Sequence, residues 1–302
     1  MDEYRVNLGY QLDRTKDEAR VDGEVAQLAA LVISANHRLT HPDDPMLWFA
    51  TQRAFARCGA ISFEVAAKQR EGGPARVTMA ETPRAWLDQL ARSGTKRVLL
   101  GFERQDEEMV PGETIPDRVA AGFAGGGSLW TMTTETDDGR ALGWRSAWKA
   151  AYPGARDGRI WAVRYTATAS DPQPAGRDLD AAATELRHAL AEMSEFAWSH
   201  DAKEANLRFT AALALLEGAP DPRPFPHSPG AADTLSDEAR RLLHAAQRGW
   251  MFDDMGQWGP LKVDEPTWRD HARRSEALYD AVTAAVVAAA NSSAPARPIT
   301  SR

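Results

Sequence analysis

The sequence has little of what marks a secreted, membrane or nucleic-acid-binding protein. Cys58 is its only cysteine among 302 residues, so no internal disulfide can form, which favours a cytoplasmic location. No apolar run approaches the roughly 18 residues that span a bilayer, and the N-terminus lacks the basic and apolar regions of a secretory signal, so we expect no membrane partner. The net charge is −7 and no basic stripe is present, which predicts no nucleic-acid partner.

The common catalytic and cofactor signatures are also absent. The glycine-rich residues 122–128 precede a predicted strand, whereas a phosphate-binding loop follows a strand and opens a helix. Glu185 and His188 have the spacing of half a di-iron site, but the corresponding His244 has no glutamate three residues before it. We therefore predict no metal and no cofactor. Cys58 would need a base such as His37 or His41 to act as a nucleophile, and we interpret it as a small buried residue.

The first part of the chain has the pattern of an α+β domain, which we predict over residues 1–168 with an antiparallel sheet. Helices are predicted where apolar residues recur every three to four positions, and strands where they alternate or form short runs. The predicted helices are 24–39, 46–58 and 82–92, and the predicted strands are 4–12, 60–66, 75–79, 97–102, 129–136, 141–148 and 159–168. Asp138-Gly139 indicates a hairpin turn between two of these strands.

The second part is predicted to be helical. Residues 169–176 have the composition of a linker, residues 177–291 carry four amphipathic helical patterns, and residues 292–302 are predicted to form a flexible tail. The segment beginning at Leu186 is echoed by the segment beginning at Leu242, which suggests two helical hairpins. Because each hairpin has one apolar face to bury, the sequence predicts a four-helix C-terminal bundle.

The end of the third of these helices, residues 249–260, is rich in large apolar side chains. It contains Trp250, Met251 and Trp258, with Asp253 and Asp254 between them. Each such side chain forfeits about 1.5–3 kcal/mol if it stays in water. The segment is therefore a plug, the wall of a pocket or a contact surface, and the sequence leaves these alternatives open.

Within this segment, the run Met255-Gly256-Gln257-Trp258 is followed by a predicted helix that carries Tyr279. In these features the last part of the chain resembles uncharacterised bacterial proteins. The resemblance covers roughly the last 120 residues, a size ordinary for one domain. Those proteins carry a Met-Gly-Ser-Trp-Asn-Asp-like motif in a helical C-terminal region. This chain departs from the motif at Gly259-Pro260. The resemblance implies kinship and no particular activity.

Arginines alternate with aromatic residues in the predicted sheet. Trp144 and Trp148 share one face of their strand while Arg145 points away from it, and Arg164 lies in the last strand. The shared tryptophan face is suited either to stacking of a flat or cationic ligand or to core packing, and core packing is the favoured interpretation.

Two hypotheses of function follow from these patterns. The favoured one is a non-catalytic binding or assembly protein that uses an aromatic-rich junction between its two parts. The alternative is an enzyme in which Asp253 or Asp254 acts as acid or base at that junction, and Arg145 or Arg164 holds a small anionic substrate. In a purely structural interpretation the two aspartates cap the turn. The candidate ligand- or partner-binding residues are Trp250, Met251, Trp258, Trp144, Arg145, Trp148 and Arg164.

Overall fold

The computed structural model describes residues 23–44, 53–67, 75–104, 129–173, 178–220, 234–252 and 264–296. Within these ranges the chain forms a six-stranded sheet and six α-helices. The strands are β1 (Cys58–Ala67), β2 (Ala75–Ala80), β3 (Thr95–Glu103), β4 (Leu129–Thr136), β5 (Ala141–Ala150) and β6 (Trp161–Ser170). The helices are α1 (Glu24–Thr40), α2 (Pro83–Arg92), α3 (Leu179–Ser199), α4 (Lys203–Leu216), α5 (Asp237–Gly249) and α6 (Glu265–Asn291).

The sheet has the strand order β2-β1-β6-β5-β4-β3. Strands β3 to β6 form an antiparallel meander, and β1 pairs antiparallel with β2 but parallel with β6. The predicted α+β class is confirmed, whereas the prediction of a purely antiparallel sheet is wrong because the sheet is mixed. The parallel pair places Cys58 opposite Trp161. Because β1 and β6 are far apart in the chain, no tight turn joins them, and no local turn signal in the sequence predicts their pairing.

Helix α1 is buried over nearly its whole length. It contacts β3, β4, α2 and α6, and every residue from 25 to 37 is buried. A helix that is apolar on most of its circumference must be covered on most sides. The face of the sheet toward α1, which we call the inner face, carries Phe63, Trp144 and Tyr165, and the indole of Trp86 from α2 stacks on Phe63 with ring centroids 4.6 Å apart.

Two asparagine side chains bind the edge strand β3. The Asn36 side chain donates to Val98 O and accepts from Val98 N, both at 2.8 Å. The Asn291 side chain accepts from Leu100 N at 2.6 Å and donates to Leu100 O at 2.9 Å. Each amide therefore replaces one residue of a neighbouring strand and closes an edge that would otherwise be open to pairing. Asn36 also donates to Ser293 Oγ at 2.9 Å, which ties α1 to the residues that follow α6.

The four helices predicted for the C-terminal part are present. Helix α3 contacts α4, α4 contacts α5, α5 contacts α6, and α6 contacts α3. Helix α6 also packs on α1 and β3, so its last turns belong to the core of the sheet as well as to the helical group. The predicted four-helix part is therefore matched only in part, because α6 also belongs to the packing of the sheet. The domain boundary at residues 169–176 stays a prediction.

On the outer face of the sheet, opposite α1, an ion pair is buried. The Arg97 guanidinium donates from Nε and Nη2 to Glu135 Oε2 at 2.9 and 2.7 Å. The backbone N–H of Gln173 donates to Glu135 Oε1 at 2.9 Å, so the chain after β6 crosses this face. A buried ion pair needs such further hydrogen bonds to offset the loss of water.

Several local predictions can be compared with the described residues. The predicted helix over 46–58 is wrong where it can be compared: residues 53–55 form a single 3₁₀ turn and Cys58 opens β1. The Thr82 cap of α2 is confirmed, since its side chain accepts from Ala85 N at 3.2 Å. The predicted strand over 4–12 lies outside the described residues. None of the helices in the described ranges has the length and apolarity needed to span a membrane.

Candidate functional site

The residues at the end of α5 that the structure describes, 250–252, form a buried plug. Trp250 is 3% exposed, and Met251 and Phe252 are also buried. The ring of Phe252 lies 5.5 Å from that of Trp250 and 5.0 Å from that of Tyr279 on α6. Gly249 permits the close approach, because a Cβ there would lie 2.7 Å from Leu190 Cδ2. Trp250 and Met251 therefore fix α5 against the neighbouring helices.

The other predicted members of this junction lie elsewhere or outside the described residues. Asp253, Asp254 and Trp258 are outside the described ranges, and so is the motif of residues 255–258. The resemblance drawn from that motif stays a prediction.

The two arginines of the alternative hypothesis lie on the outer face of the sheet. Arg145 and Arg164 are exposed, and they alternate along β5 and β6 with residues whose side chains are buried toward α1. Arg164 Nε lies 3.4 Å from Glu64 Oε1. The ring contacts of Trp250 run through Tyr279 to Phe102, which lies on the α1 side. The structure therefore does not bring these arginines to Trp250.

The two tryptophans of β5 share the inner face, as their spacing predicts. Trp144 is fully buried against Phe63 and Trp86, and its Nε1 donates to Thr134 Oγ1 at 3.1 Å. Trp148 is half-buried, with its ring centroid 6.0 Å from that of Trp161. Trp144 is a core residue, and Trp148 lies at the edge of the core.

Trp148 belongs to a polar cluster at the N-terminal end of α1. Its Nε1 donates to Ser146 Oγ at 3.0 Å, and Ser146 Oγ donates to Glu24 Oε1. Burial raises the pKa of the Glu24 carboxyl to about 7, although the hydrogen bond from Ser146 opposes this shift. Glu24 is therefore partly protonated near neutral pH. Sequence reasoning missed it because a glutamate in the first turn of a helix is ordinary.

Cys58 lies deeper in the same corner. Gln27 Nε2 donates to Cys58 Sγ at 2.9 Å, and Tyr165 OH donates to Gln27 Oε1 at 2.9 Å. Burial raises the pKa of the Cys58 thiol to about 11, so the thiol stays protonated and is a poor nucleophile at neutral pH. His37, one of the two histidines considered as its base, has other partners: the His37 ring nitrogens contact Thr234 and Asp44.

The most unusual surface feature is a set of large apolar side chains at one end of the helical group. Trp198 is 74% exposed, Leu207 is 67% exposed and Trp268 is 51% exposed. We call these three residues the tryptophan surface. Two contacts place them at the same end: the Phe196 ring of α3 lies 5.4 Å from the His271 ring of α6, and Ser194 Oγ lies 2.7 Å from Asn206 Oδ1 of α4.

The tight turn between α3 and α4 holds Trp198 in place. Asp201 has a φ of 54°, in the left-handed region that few residues other than glycine adopt. The turn is closed by Ala202 N, which donates to Ala197 O at 2.8 Å, and by Asp201 N, which donates to Trp198 O at 3.3 Å. A backbone conformation of this kind costs about 1–3 kcal/mol and persists when the surroundings determine it.

A row of ring contacts leads from Trp268 into the helical group. The Trp268 ring lies 5.7 Å from His271, His271 lies 5.4 Å from Phe196, and Phe196 stacks on His200 at 4.2 Å. Phe196 and His271 are buried. The Trp268 ring therefore has a buried ring beside it, and such packing lowers the entropy lost when a partner covers the exposed half.

Acidic residues predominate in the two chain stretches that carry Trp198 and Trp268. The two stretches 192–204 and 264–274 contain seven acidic and four basic residues. The acidic residues are Glu192, Glu195, Asp201, Glu204, Asp264, Glu265 and Asp270, and the basic ones are Lys203, Arg269, Arg273 and Arg274. All of this acidic excess lies in the stretch 192–204, which contains four acidic residues and one basic residue.

Sequence reasoning missed this surface, although a signal was present. Trp198 falls outside the apolar spacing of α3, which runs through Leu186, Leu190, Met193 and Ala197. A large aromatic side chain on the polar side of an amphipathic helix is the signal that would have found it. Trp268 stands in the first turn of α6, beside Arg269.

The described ranges contain no group of three or more histidine, cysteine, aspartate or glutamate side chains arranged to hold a metal ion. Glu185 and His188 lie on the exposed side of α3. Comparison with known proteins gives no further assignment: no family model matches the chain, and no similar curated protein or solved structure is found.

Proposed function

We propose that this chain is a binding or assembly protein whose partner is another protein, and that the tryptophan surface makes the contact. The observation that supports this proposal is the exposure of Trp198, Leu207 and Trp268 on helices whose other large apolar side chains are mostly buried. A fully exposed large apolar side chain gains about 1.5–3 kcal/mol on burial, and these three gain the share that corresponds to their exposed area. Tryptophan is also among the residues that most often dominate the energy of protein interfaces.

The charges around the surface favour a basic partner over a second copy of this chain. In a symmetric dimer the same surface meets itself, so the acidic stretch 192–204, which carries Trp198, would face its own copy. Juxtaposed like charges oppose association, whereas a partner with lysines or arginines around an apolar anchor would be attracted. The net charge of −7 on the whole chain also favours a basic partner over a second copy.

This proposal moves the contact surface away from the junction that the sequence favours. Trp250 and Met251 are buried, and in the proposal they support the helical group without touching the partner. The enzyme alternative requires Arg145 or Arg164 to hold a substrate at the junction, and both lie on the outer face of the sheet, which counts against it. A cytoplasmic, bacterial setting remains part of the proposal.

Photo-crosslinking in the native host tests the proposal. A photoreactive phenylalanine analogue replaces Trp198, and the same analogue at Tyr152, which is 45% exposed, is the matched control. We expect position 198 to form a crosslink to one protein that position 152 does not form. Leu207→Glu and Trp268→Glu are expected to abolish that crosslink, and Val77→Glu on β2 is expected to leave it intact.

Purified components then measure the affinity. Truncation of one hot-spot tryptophan typically costs at least about 2 kcal/mol, or roughly a 30-fold rise in Kd, and added salt should weaken binding to a basic partner. Equal crosslinking at positions 198 and 152 would reject the tryptophan surface as the contact. A crosslink between two copies of this chain would reject the basic partner.

A further inference from the structure

At the C-terminal end of α1, three side chains from separate parts of the chain are joined by hydrogen bonds. His37 Nε2 lies 2.8 Å from Asp44 Oδ2, and His37 Nδ1 lies 2.6 Å from Thr234 Oγ1. Asp44 lies just after the end of α1, whereas Thr234 is 197 residues from His37 in the chain and lies just before α5. A carboxylate, an imidazole and a hydroxyl are thus aligned in that order.

The carboxylate sets the direction of these hydrogen bonds. An ionised Asp44 can only accept, so in the neutral ring Nε2 of His37 carries the proton. Nδ1 is then unprotonated and accepts the hydrogen bond from the Thr234 hydroxyl. This is the tautomer that a general base needs in order to take a proton from an alcohol.

We propose that Asp44, His37 and Thr234 form a catalytic relay that activates the Thr234 hydroxyl for attack on an ester. Both distances fall in the range of about 2.6–3.2 Å expected between a nucleophile, its base and the group that orients the base. This activity would be separate from the tryptophan surface, since none of its residues belongs to that surface.

The burial of the three groups suits this role. The His37 side chain is 4% exposed, so water does not compete for its nitrogens, whereas the Asp44 side chain is 41% exposed. Thr234 is partly exposed, so its hydroxyl is not sealed in the core. The His41 ring stacks on His37 with centroids 4.6 Å apart and further fixes the imidazole. The neighbouring charged residue on α1 is Arg38, whose Nη2 donates to Asp88 Oδ1 at 3.0 Å.

The reaction is an acyl transfer in two steps. Thr234 Oγ attacks the carbonyl carbon of the ester as its proton passes to His37 Nδ1. The bond from carbon to the alcohol oxygen breaks, and His37 Nδ1 returns the proton to the departing alcohol. Water then attacks the acyl-threonine by the same route, which releases the carboxylic acid and restores the Thr234 hydroxyl.

The same hydrogen bonds could serve only to fasten the segment before α5 to α1, so the test must separate chemistry from folding. The purified full chain is incubated with p-nitrophenyl acetate, release of p-nitrophenol is followed, and the acetylated residue is located by mass spectrometry of peptides. We expect an acetyl group on Thr234. Thr184, whose hydroxyl donates to the backbone of α3 on an exposed face, is the internal reference for unspecific labelling.

The variants are chosen to keep the shape of the site. Thr234→Ser retains the hydroxyl and should retain labelling, whereas Thr234→Val should abolish it. Removal of the base in His37→Gln is expected to slow acetylation by about 100-fold or more. Asp44→Asn is expected to slow it as well, because the wrong tautomer is favoured. Thermal unfolding of each variant shows whether it is folded.

Three results would overturn the proposal. The first is labelling of Thr234 that does not exceed that of Thr184 in the wild-type chain. The second is acetylation of Thr234 at the wild-type rate in a folded His37→Gln variant. The third is undiminished release of p-nitrophenol by a folded Thr234→Val variant. If Thr234→Val does not fold, Thr234→Ser and His37→Gln still decide between the relay and a purely structural role.

Discussion

Two tryptophans, one packed against α6 and one within its first turn, have opposite surroundings. Trp250 packs near Tyr279 in the middle of α6 and is 3% exposed, whereas Trp268 lies in the first turn of α6 and is 51% exposed. The rings of Phe252 and Tyr279 lie 5.5 and 6.1 Å from that of Trp250, so Trp250 is packed among aromatic side chains. The difference shows that a tryptophan indicates binding by its position relative to the core. The abundance of tryptophan in the sequence is not by itself such a signal.

The comparison predicts its largest effect on stability for Trp250→Ala. We expect a loss of about 3–5 kcal/mol in the free energy of unfolding, because the change leaves a large cavity beside Phe252 and Tyr279. Trp268→Ala is the matched control and should cost less than about 1 kcal/mol. Denaturation in guanidinium chloride measures both. Equal losses for the two variants would contradict the contrast between the sites.

The same contrast between buried and exposed positions applies to polar side chains at the end of α6. Asn291→Ala leaves Leu100 N–H and C=O without their Asn291 partner, at about 1–3 kcal/mol for each buried group, so a loss of about 2–6 kcal/mol is expected. Ser292→Ala is the control, because its side chain is exposed and bonds only within its own helix end.

Hydrogen exchange locates this effect. In Asn291→Ala the amide of Leu100 should exchange faster, while that of Val98, which is held by Asn36, should change less. Asn291→Asp tests the donor separately, since a carboxylate can still accept from Leu100 N but repels Leu100 O. If Asn291→Asp is as stable as the wild-type chain, the closure of the edge strand does not depend on the amide.

Much of the local structure could be predicted from the sequence, and the reasons are local too. The spacing of apolar residues indicates α3, α4 and α6, the Thr82-Pro83 pair marks the start of α2, and Asp138-Gly139 marks the β4–β5 hairpin. Each of these signals lies within a few residues of the feature that it predicts.

The features that could not be predicted depend on contacts between distant residues. The parallel pairing of β1 with β6, the binding of β3 by Asn291 and the contact of Thr234 with His37 each join residues about 100 or more positions apart. No turn residue or periodic pattern encodes them. The exposed Trp198 is different: it departs from the apolar spacing of its own helix, and that departure is visible in the sequence.

Glu24 is half-buried and therefore lies between the buried and the exposed positions compared above. Its contribution to the free energy of unfolding should depend on pH. Its pKa is about 7 in the folded chain and near 4.5 in the unfolded chain. The folded state therefore binds more protons between these values, so stability falls as pH rises from about 4.5 to 7 and stays lower above. The full shift would correspond to about 3 kcal/mol, and partial exposure reduces our expectation to about 2 kcal/mol.

Glu24→Gln removes this dependence, because glutamine resembles the protonated carboxyl and can keep the hydrogen bond with Ser146. The variant should unfold at higher denaturant than the wild-type chain at pH 8 and at a similar concentration at pH 5. Glu265→Gln is the matched control: it stands in the first turn of α6 with an exposed side chain and should leave the pH profile of stability unchanged. A Glu24→Gln profile that parallels the wild-type profile would place the pH dependence elsewhere.

The smallest effect on stability, and the largest on binding, is expected for Trp198→Ala. Its side chain is 74% exposed, so the free energy of unfolding should change by less than about 0.5 kcal/mol. Asp201→Gly relieves the left-handed backbone beside it and should stabilise the turn slightly. If Trp198 acts as an anchor, its removal raises the Kd for the crosslinked partner by roughly 30-fold or more without lowering stability. A loss of stability as large as that of Trp250→Ala would instead make Trp198 part of the fold, and the distinction between the two kinds of tryptophan would disappear.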